Sequence, residues 1–180
     1  NNSTGVGNVN SSALNDGLWH IISITRNSTT GILNLYIDGI LVDTDTGPTG
    51  LVHNDDNMYL AKYYTSDPSY YEGLFHQMRF WNRELTPSEI QSYMTVSPTG
   101  NESGLVGYWN FNEGTGTTLT DQTSNGNNGT IVGAAWSEDV PATSTGGGDT
   151  DYQNDASELI ISWVGSDAAS GITTYEYALG

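Results

Sequence analysis

The chain has 180 residues, with 4 Lys plus Arg against 21 Asp plus Glu and a formal charge of −17. That field repels phosphate backbones and anionic lipid heads, so nucleic acid is excluded as a partner. Membrane insertion is excluded too, because no apolar run approaches the roughly 20 residues of a span. With no Cys there is no disulfide, thiolate zinc site or Cys nucleophile. The length suits one medium domain plus a piece of another. Its 22 Gly and 11 Tyr, among many Thr, Ser and Asn, favour short strands and tight turns over helices.

Residues 1–17 are rich in Asn, Ser and Gly and end on Asp16-Gly17, a turn signal. In 18–26, LWHIISITR, Ile22 and Ile24 alternate with Ser23 and Thr25, which predicts a strand with one buried face. Asn27 to Gly31 reads as a hairpin loop. The return, ILNLYIDG, puts Leu33, Leu35 and Ile37 on one face, and Asp38-Gly39 turns the chain again before Ile40-Leu41-Val42. A polar loop is expected over 43–50. A short strand at 58–64 is interrupted by Ser66-Asp67-Pro68, and another strand is expected over 71–81. In Thr86-Pro87-Ser88-Glu89, Thr86 can cap, Pro87 suits the first helical position and Glu89 completes a capping box, so a short helix runs to about Met94. Strands at 105–111 and 130–136 flank the loop DQTSNGNNG. Residues 141–150, PATSTGGGDT, have the composition of a linker and divide 1–140 from a second unit at 151–180. N-x-S/T triplets begin at Asn1, Asn2, Asn10, Asn27, Asn101 and Asn128, as expected by composition in so Asn-, Ser- and Thr-rich a text.

Three stretches, Gly17-Leu18-Trp19-His20, Leu35-Tyr36-Ile37-Asp38-Gly39 and EGLFHQMRFWNRELTPSEIQ at 72–91, together resemble the second half of a laminin-G-like domain of the concanavalin A-like group. The resemblance implies an all-β, antiparallel jelly-roll sandwich with one short helix, related to pentraxins and legume lectins. It extends over 13–136, with GLVGYWNFNEGTGTTLTDQTSNGNNGTIVGAAW at 104–136 as a closing strand pair, while the strands that should precede residue 1 are absent. Trp19, Trp81, Trp109 and Trp136 match structural positions of the family and are expected in the core. The final stretch, ELIISWVGSDAASGITTYEYALG, is similar to two strands of a fibronectin type III module, which implies a partial immunoglobulin-like β module at 151–180 with Trp163 in its core. Half a sandwich would leave Ile22, Ile24, Leu35 and Ile37 wet, so a second sheet is expected from neighbouring copies or from upstream sequence.

Calcium is the first candidate ligand, because hard cations want clustered oxygens and Asp121, Asn125, Asn127 and Asn128 share one Gly-punctuated loop. The same residues are ordinary turn formers, which is the competing reading. Asp43, Asp45, Asp55 and Asp56 form a second acidic group. Tyr63, Tyr64, Tyr70 and Tyr71, with Asp67 and Asn57 near them, offer a surface for a glycan, although tyrosines of a strand also turn into the core. Catalysis finds no support: related glucanases pair two glutamates on one strand, whereas Glu84, Glu89, Glu102 and Glu113 stand singly. His20, His53 and His76 lack a serine or metal constellation, and His20 reads as a strand residue beside Trp19.

The expectation is therefore a non-catalytic module of a larger secreted or cell-surface protein, bacterial and fibre-forming, that takes part in adhesion or carbohydrate binding. Its partners would be a glycan or neighbouring protomers. The rivals are a structural repeat that polymerises by strand exchange, and an accessory domain of a polysaccharide-degrading enzyme.

Overall fold

The structure is a computed structural model that describes residues 14–51, 58–61, 70–141, 158–161 and 174–179. In chain order these form β1 (His20–Arg26), β2 (Ile32–Ile37), β3 (Ile40–Thr46), β4 (Met58–Leu60) and β5 (Phe75–Trp81). Next come α1 (Pro87–Tyr93), β6 (Leu105–Trp109), β7 (Thr118–Leu119), β8 (Gly129–Val132), β9 (Glu158–Ile161) and β10 (Thr174–Leu179). Two antiparallel sheets result, one ordered β3-β2-β1-β10-β5-β6 and the other β4-β9-β8-β7.

The amphipathic hairpin forms in the expected register, with Ile22 opposite Ile37 and Ile24 opposite Leu35. Asp38 and Gly39 join β2 to β3 at φ 50° and φ 72°. Two consecutive positive φ values make the primed turn that matches the right-handed twist of a hairpin. The β3 strand runs on through Asp43 and Asp45, which the polar text had suggested as loop. Each of those carboxylates accepts the N–H of the next residue, Thr44 at 2.8 Å and Thr46 at 2.7 Å. Charged residues belong on a sheet edge, where they discourage pairing with other chains, and β3 is such an edge. At the other end of the hairpin Gly31 has φ 76°, and a Cβ there would run into the carbonyl oxygen of Gly47.

Between the sheets, Phe75, Met78, Phe80, Trp109, Phe111, Leu119 and Ile131 form one core. Phe80 meets Trp109 edge to face at 5.7 Å. A second cluster covers the opposite face of the six-stranded sheet: Tyr36, Trp81, Leu85, Ile90, Leu105 and Tyr108, with Tyr93 packed against it. Helix α1 holds that layer down, and its capping box is complete, with Thr86 Oγ1 accepting from Glu89 N and Thr86 N donating to Glu89 at 2.8 Å. The second layer explains a departure from the strand pattern. Ser23 and Thr25, expected on a wet face, are fully buried because that face is covered as well. Trp81 and Trp109 lie in the core as expected, whereas Trp19 and Trp136 are half-buried. Trp19 stands edge-on to His76 at 6.0 Å, and Trp136 Nε1 donates to Gly116 O at 3.0 Å.

The main difference from expectation concerns the C-terminal residues. The strands read as the start of a separate immunoglobulin-like module instead enter the two sheets. β10 lies between β1 and β5, with Ile22 opposite Tyr177 and Phe80 opposite Tyr175. β9 lies between β4 and β8, with Met58 and Gly129 both at the level of Ile161. Without them β1, β5, β4 and β8 would each present unpaired backbone N–H and C=O groups, which are costly to bury. The partner layer expected from another copy or from upstream sequence is thus met by the chain's own strands. Trp163 lies outside the described residues.

Candidate functional site

The loop after β7 is organised around one carboxylate. Asp121 Oδ1 accepts the N–H groups of Tyr108 at 3.0 Å and Thr123 at 2.9 Å. Its Oδ2 accepts the Thr123 hydroxyl at 2.8 Å and Asn127 N at 2.9 Å. Asn128 Oδ1 accepts Asp121 N at 3.0 Å, while the Asn125 and Asn127 amides both donate to Val106 O, at 2.9 and 3.0 Å. The indole of Trp109 closes the loop from below by donating to Asn127 O at 2.9 Å. Asp121 is 6% exposed. The four residues expected as calcium ligands are therefore together; each Asp121 oxygen accepts two hydrogen bonds, and the Asn125 and Asn127 amides both donate to Val106 O. Their task is to fasten the loop to β6. Of the second acidic group, Asp43 and Asp45 lie along β3, and Asp55 and Asp56 fall outside the described residues. Among the described residues no group of three or more His, Cys, Asp or Glu is placed to hold a metal ion.

Of the expected ligand-binding residues, Tyr63, Tyr64 and Asp67, with neighbouring Asn57, lie outside the described residues. The two tyrosines that follow are parted by alternation. Tyr70 is 40% exposed, whereas Tyr71 packs its ring on Phe75 at 5.1 Å, and burial raises its phenol pKa. Gly73 makes room for that ring, since a Cβ there would lie 2.5 Å from it. Tyr71 supports the core and is removed from the ligand set. Tyr71 N bonds Ala61 O at 3.0 Å, which holds Tyr71 beside the residue that follows β4. On β4 itself Tyr59, absent from the expected set, is 42% exposed.

The single glutamates are occupied locally. Glu84 accepts Asn27 Nδ2 at 2.9 Å, Glu102 accepts Thr99 N at 2.7 Å and Gly100 N at 3.0 Å, and Glu113 accepts Thr120 N at 2.7 Å. Glu89 meets Arg83 at 2.8 Å; that pairing, then the Thr86 N–H, lowers its pKa to about 2.

Sequence reading missed the work done by the cations and by His20. The imidazole is clamped between two carboxylates, Nδ1 to Asp38 Oδ2 at 2.8 Å and Nε2 to Asp16 Oδ1 at 3.1 Å. The Asp38 bond raises its pKa more than partial burial lowers it. Arg26 is buried and donates to Pro48 O at 2.6 Å and Gly50 O at 2.8 Å. Arg79 is 5% exposed, donates to Tyr93 O at 3.0 Å and Gln77 Oε1 at 2.6 Å, and lies over the Tyr93 and Tyr108 rings. Arg83 stacks on Trp81 at 5.3 Å. A signal was available: with 4 basic residues in the whole chain, finding Arg26, Arg79 and Arg83 inside or beside the most apolar strands points inward.

Two antiparallel sheets around a shared aromatic core, with one capped helix over the outer face, define a laminin-G-like jelly roll. The chain belongs to the concanavalin A-like lectin/glucanases superfamily, whose laminin G family model matches residues 1–91. It is similar to "Sushi, von Willebrand factor type A, EGF and pentraxin domain-containing protein 1" of Rattus norvegicus, 32% identical over 109 residues. The Mus musculus protein of the same name is also 32% identical over 109 residues. The alignment covers 56% of this chain and 3% of either relative, so the chain corresponds to a small part of their length. Both relatives are mammalian. No solved structure matches the chain. Among the described residues no helix is long and apolar enough to cross a membrane.

Proposed function

We propose that the chain is a non-catalytic, extracellular binding module that recognises an uncharged glycan at the rim of the four-stranded sheet, beside β4. One observation carries this reading: Tyr59 and Tyr70 are 42% and 40% exposed, while Trp81, Trp109, Phe80 and Phe111 are fully buried. Sugars dock on aromatic faces, and a few amide and carboxylate hydrogen bonds then fix their orientation. Tyr63, Tyr64 and Asp67, between these two rings in sequence, would supply further stacking and a carboxylate acceptor. The charge of −17 favours neutral saccharides over sulfated or uronic ones. Catalysis is disfavoured because Glu84, Glu89, Glu102 and Glu113 are engaged in capping and loop bonds.

The test is a neutral-glycan array followed by calorimetry on the hits. Tyr59→Ala and Tyr70→Ala should each weaken binding about tenfold, the equivalent of about 1.4 kcal/mol, without moving the melting temperature. Unchanged affinity in both variants would refute the site, and a silent array would refute the ligand class.

A further inference from the structure

We propose that the edge strand β3 takes up an extended, basic segment of a partner protein, which adds as one more strand to the six-stranded sheet. This surface is separate from the glycan site, and either reading can fail without the other.

The described sheets end in four edge strands, β3, β6, β4 and β7. β7 has two residues and β4 three, and four of the five residues of β6 are buried. Among these edges β3 alone combines length with access: it runs seven residues, and none of them is buried. Ile40, Leu41 and Val42 open it at 67%, 50% and 49% exposure. An open edge of this kind is a template for strand addition, in which main-chain bonds give affinity and side chains give selectivity.

The hydrogen bonds of β3 define which strand it accepts. Thr44 N donates to Asp43 Oδ1 at 2.8 Å, and Thr46 N to Asp45 Oδ1 at 2.7 Å. A backbone N–H is a single donor, so these two stand outside the β2 ladder, on the open side. Residues i and i+2 of an antiparallel strand face the same neighbour, which makes Thr44 and Thr46 the amides that an incoming strand would engage. Its carbonyls would displace the two carboxylates, and each displaced carboxylate is then short of a donor. The register sets Asp43 opposite Leu35 and Asp45 opposite Leu33, two positions of one face. Lysine or arginine at alternate positions of the incoming strand would lie directly opposite both, the cross-strand placement in which opposite charges attract.

A second copy of this chain is the wrong partner. It carries the same charge of −17, and β3 against β3 would gather Asp43 and Asp45 of both copies on one seam. The carboxylates that oppose an acidic or neutral strand thus select a basic one, and the field of the whole chain steers it in.

The test titrates the full chain with a peptide of about nine residues, long enough to span the edge, that alternates lysine with threonine and ends on valines. In an antiparallel approach the lysines meet Asp43 and Asp45, and the valines meet Ile40, Leu41 and Val42. Calorimetry in about 150 mM NaCl, where the Debye length is about 8 Å, reads binding, and NMR reads amide exchange. The peptide should bind and slow exchange at the Thr44 and Thr46 amides. Asp43→Asn together with Asp45→Asn should weaken it about five- to tenfold. Glu138→Gln together with Asp139→Asn makes the same change of charge at exposed residues outside β3 and should leave binding as it was. A peptide with proline in place of threonine, equal in charge but poor in ladder donors, should not bind. Equal weakening by the two double variants, or equal binding of the proline peptide, would reduce the effect to bulk charge and overturn the proposal. So would the absence of heat up to about 1 mM peptide. A dimer of the chain alone by light scattering, with those two amides already protected, would give the edge to a second copy instead.

Discussion

Asp121→Asn is the most discriminating substitution in the molecule, because it separates a carboxylate that fastens a loop from one that holds a metal. The change keeps shape and volume but replaces an acceptor with an NH2 group. With Oδ1 retained toward Tyr108 N and Thr123 N, the new amide faces Asn127 N–H, and two donors cannot bond. The Thr123 hydroxyl can rotate and accept instead. One buried N–H left without a partner costs about 1–3 kcal/mol, and losing the charge weakens the two bonds to Oδ1 by about 1 kcal/mol more. Relief from burying a charge offsets part of this, so the net loss is about 2–3 kcal/mol. For a chain of this size that corresponds to about 4–12 °C in melting temperature. Urea denaturation in chelator and again in millimolar calcium measures both halves of the claim. The unmodified chain should be indifferent to the ion, whereas a ligand at 100 times its dissociation constant would add about 2.7 kcal/mol. A variant as stable as its parent, or a parent stabilised by calcium, would refute the assignment of Asp121 to the loop's own N–H groups.

Two further outcomes follow from groups whose pKa is displaced. The His20 pKa is raised, chiefly by Asp38 and opposed by burial, so its stabilisation is fully present below the unfolded value near 6.5 and is lost as pH rises through the folded value. Stability of the unmodified chain relative to His20→Gln should shrink by about 1 kcal/mol between pH 6 and 8; an unchanged difference across that range would contradict the clamp. The Glu89 pKa is lowered to about 2, so its contribution is present above about 4.5 and disappears as pH falls toward 2. Glu89→Gln should cost about 0.5–1 kcal/mol at pH 7. In urea titrations that gap should close on acidification, and a gap constant with pH would place the effect elsewhere.

How much was legible follows from which interactions are local. The β1–β2–β3 hairpins were readable because Ile22, Ile24, Leu35 and Ile37 alternate and Asp38-Gly39 admits two positive φ values. The helix was readable because its box lies within Thr86–Glu89. What alternation could not disclose is a third layer. Ser23 and Thr25 look like solvent residues in their own strand, yet both are buried, on the face that carries Tyr36 and the cluster beneath α1. The Asp121 loop was found by composition but its hydrogen bonds were not, because clustered oxygens look alike whether they await a cation or the N–H of Tyr108, thirteen residues away. The C-terminal strands were recognised as strands and assigned to the wrong body. Two short apolar runs after a linker carry no mark of the sheet they enter; that β10 pairs with β1 and β5 is visible only once the register is known.

The layering also constrains where such a chain can bind anything. One face of the six-stranded sheet is filled by the Phe80–Trp109 core and the other by Tyr36, Trp81 and Tyr108 beneath α1, so neither can receive a ligand without unpacking. The three arginines, which could have drawn anions to the surface, are spent on Pro48, Tyr93, Ser103 and Glu89. Among the described residues, the exposed large apolar side chains are the aliphatic Leu18, Ile32, Ile40, Leu41, Val42, Leu51, Val96 and Val132, and the aromatic Tyr59 and Tyr70. The β3 edge is guarded by Asp43 and Asp45 on the same strand, which oppose the approach of another strand. Tyr59 on β4 and Tyr70 keep 42% and 40% of their surface exposed, so a ligand that docks on aromatic faces could reach them without unpacking either sheet.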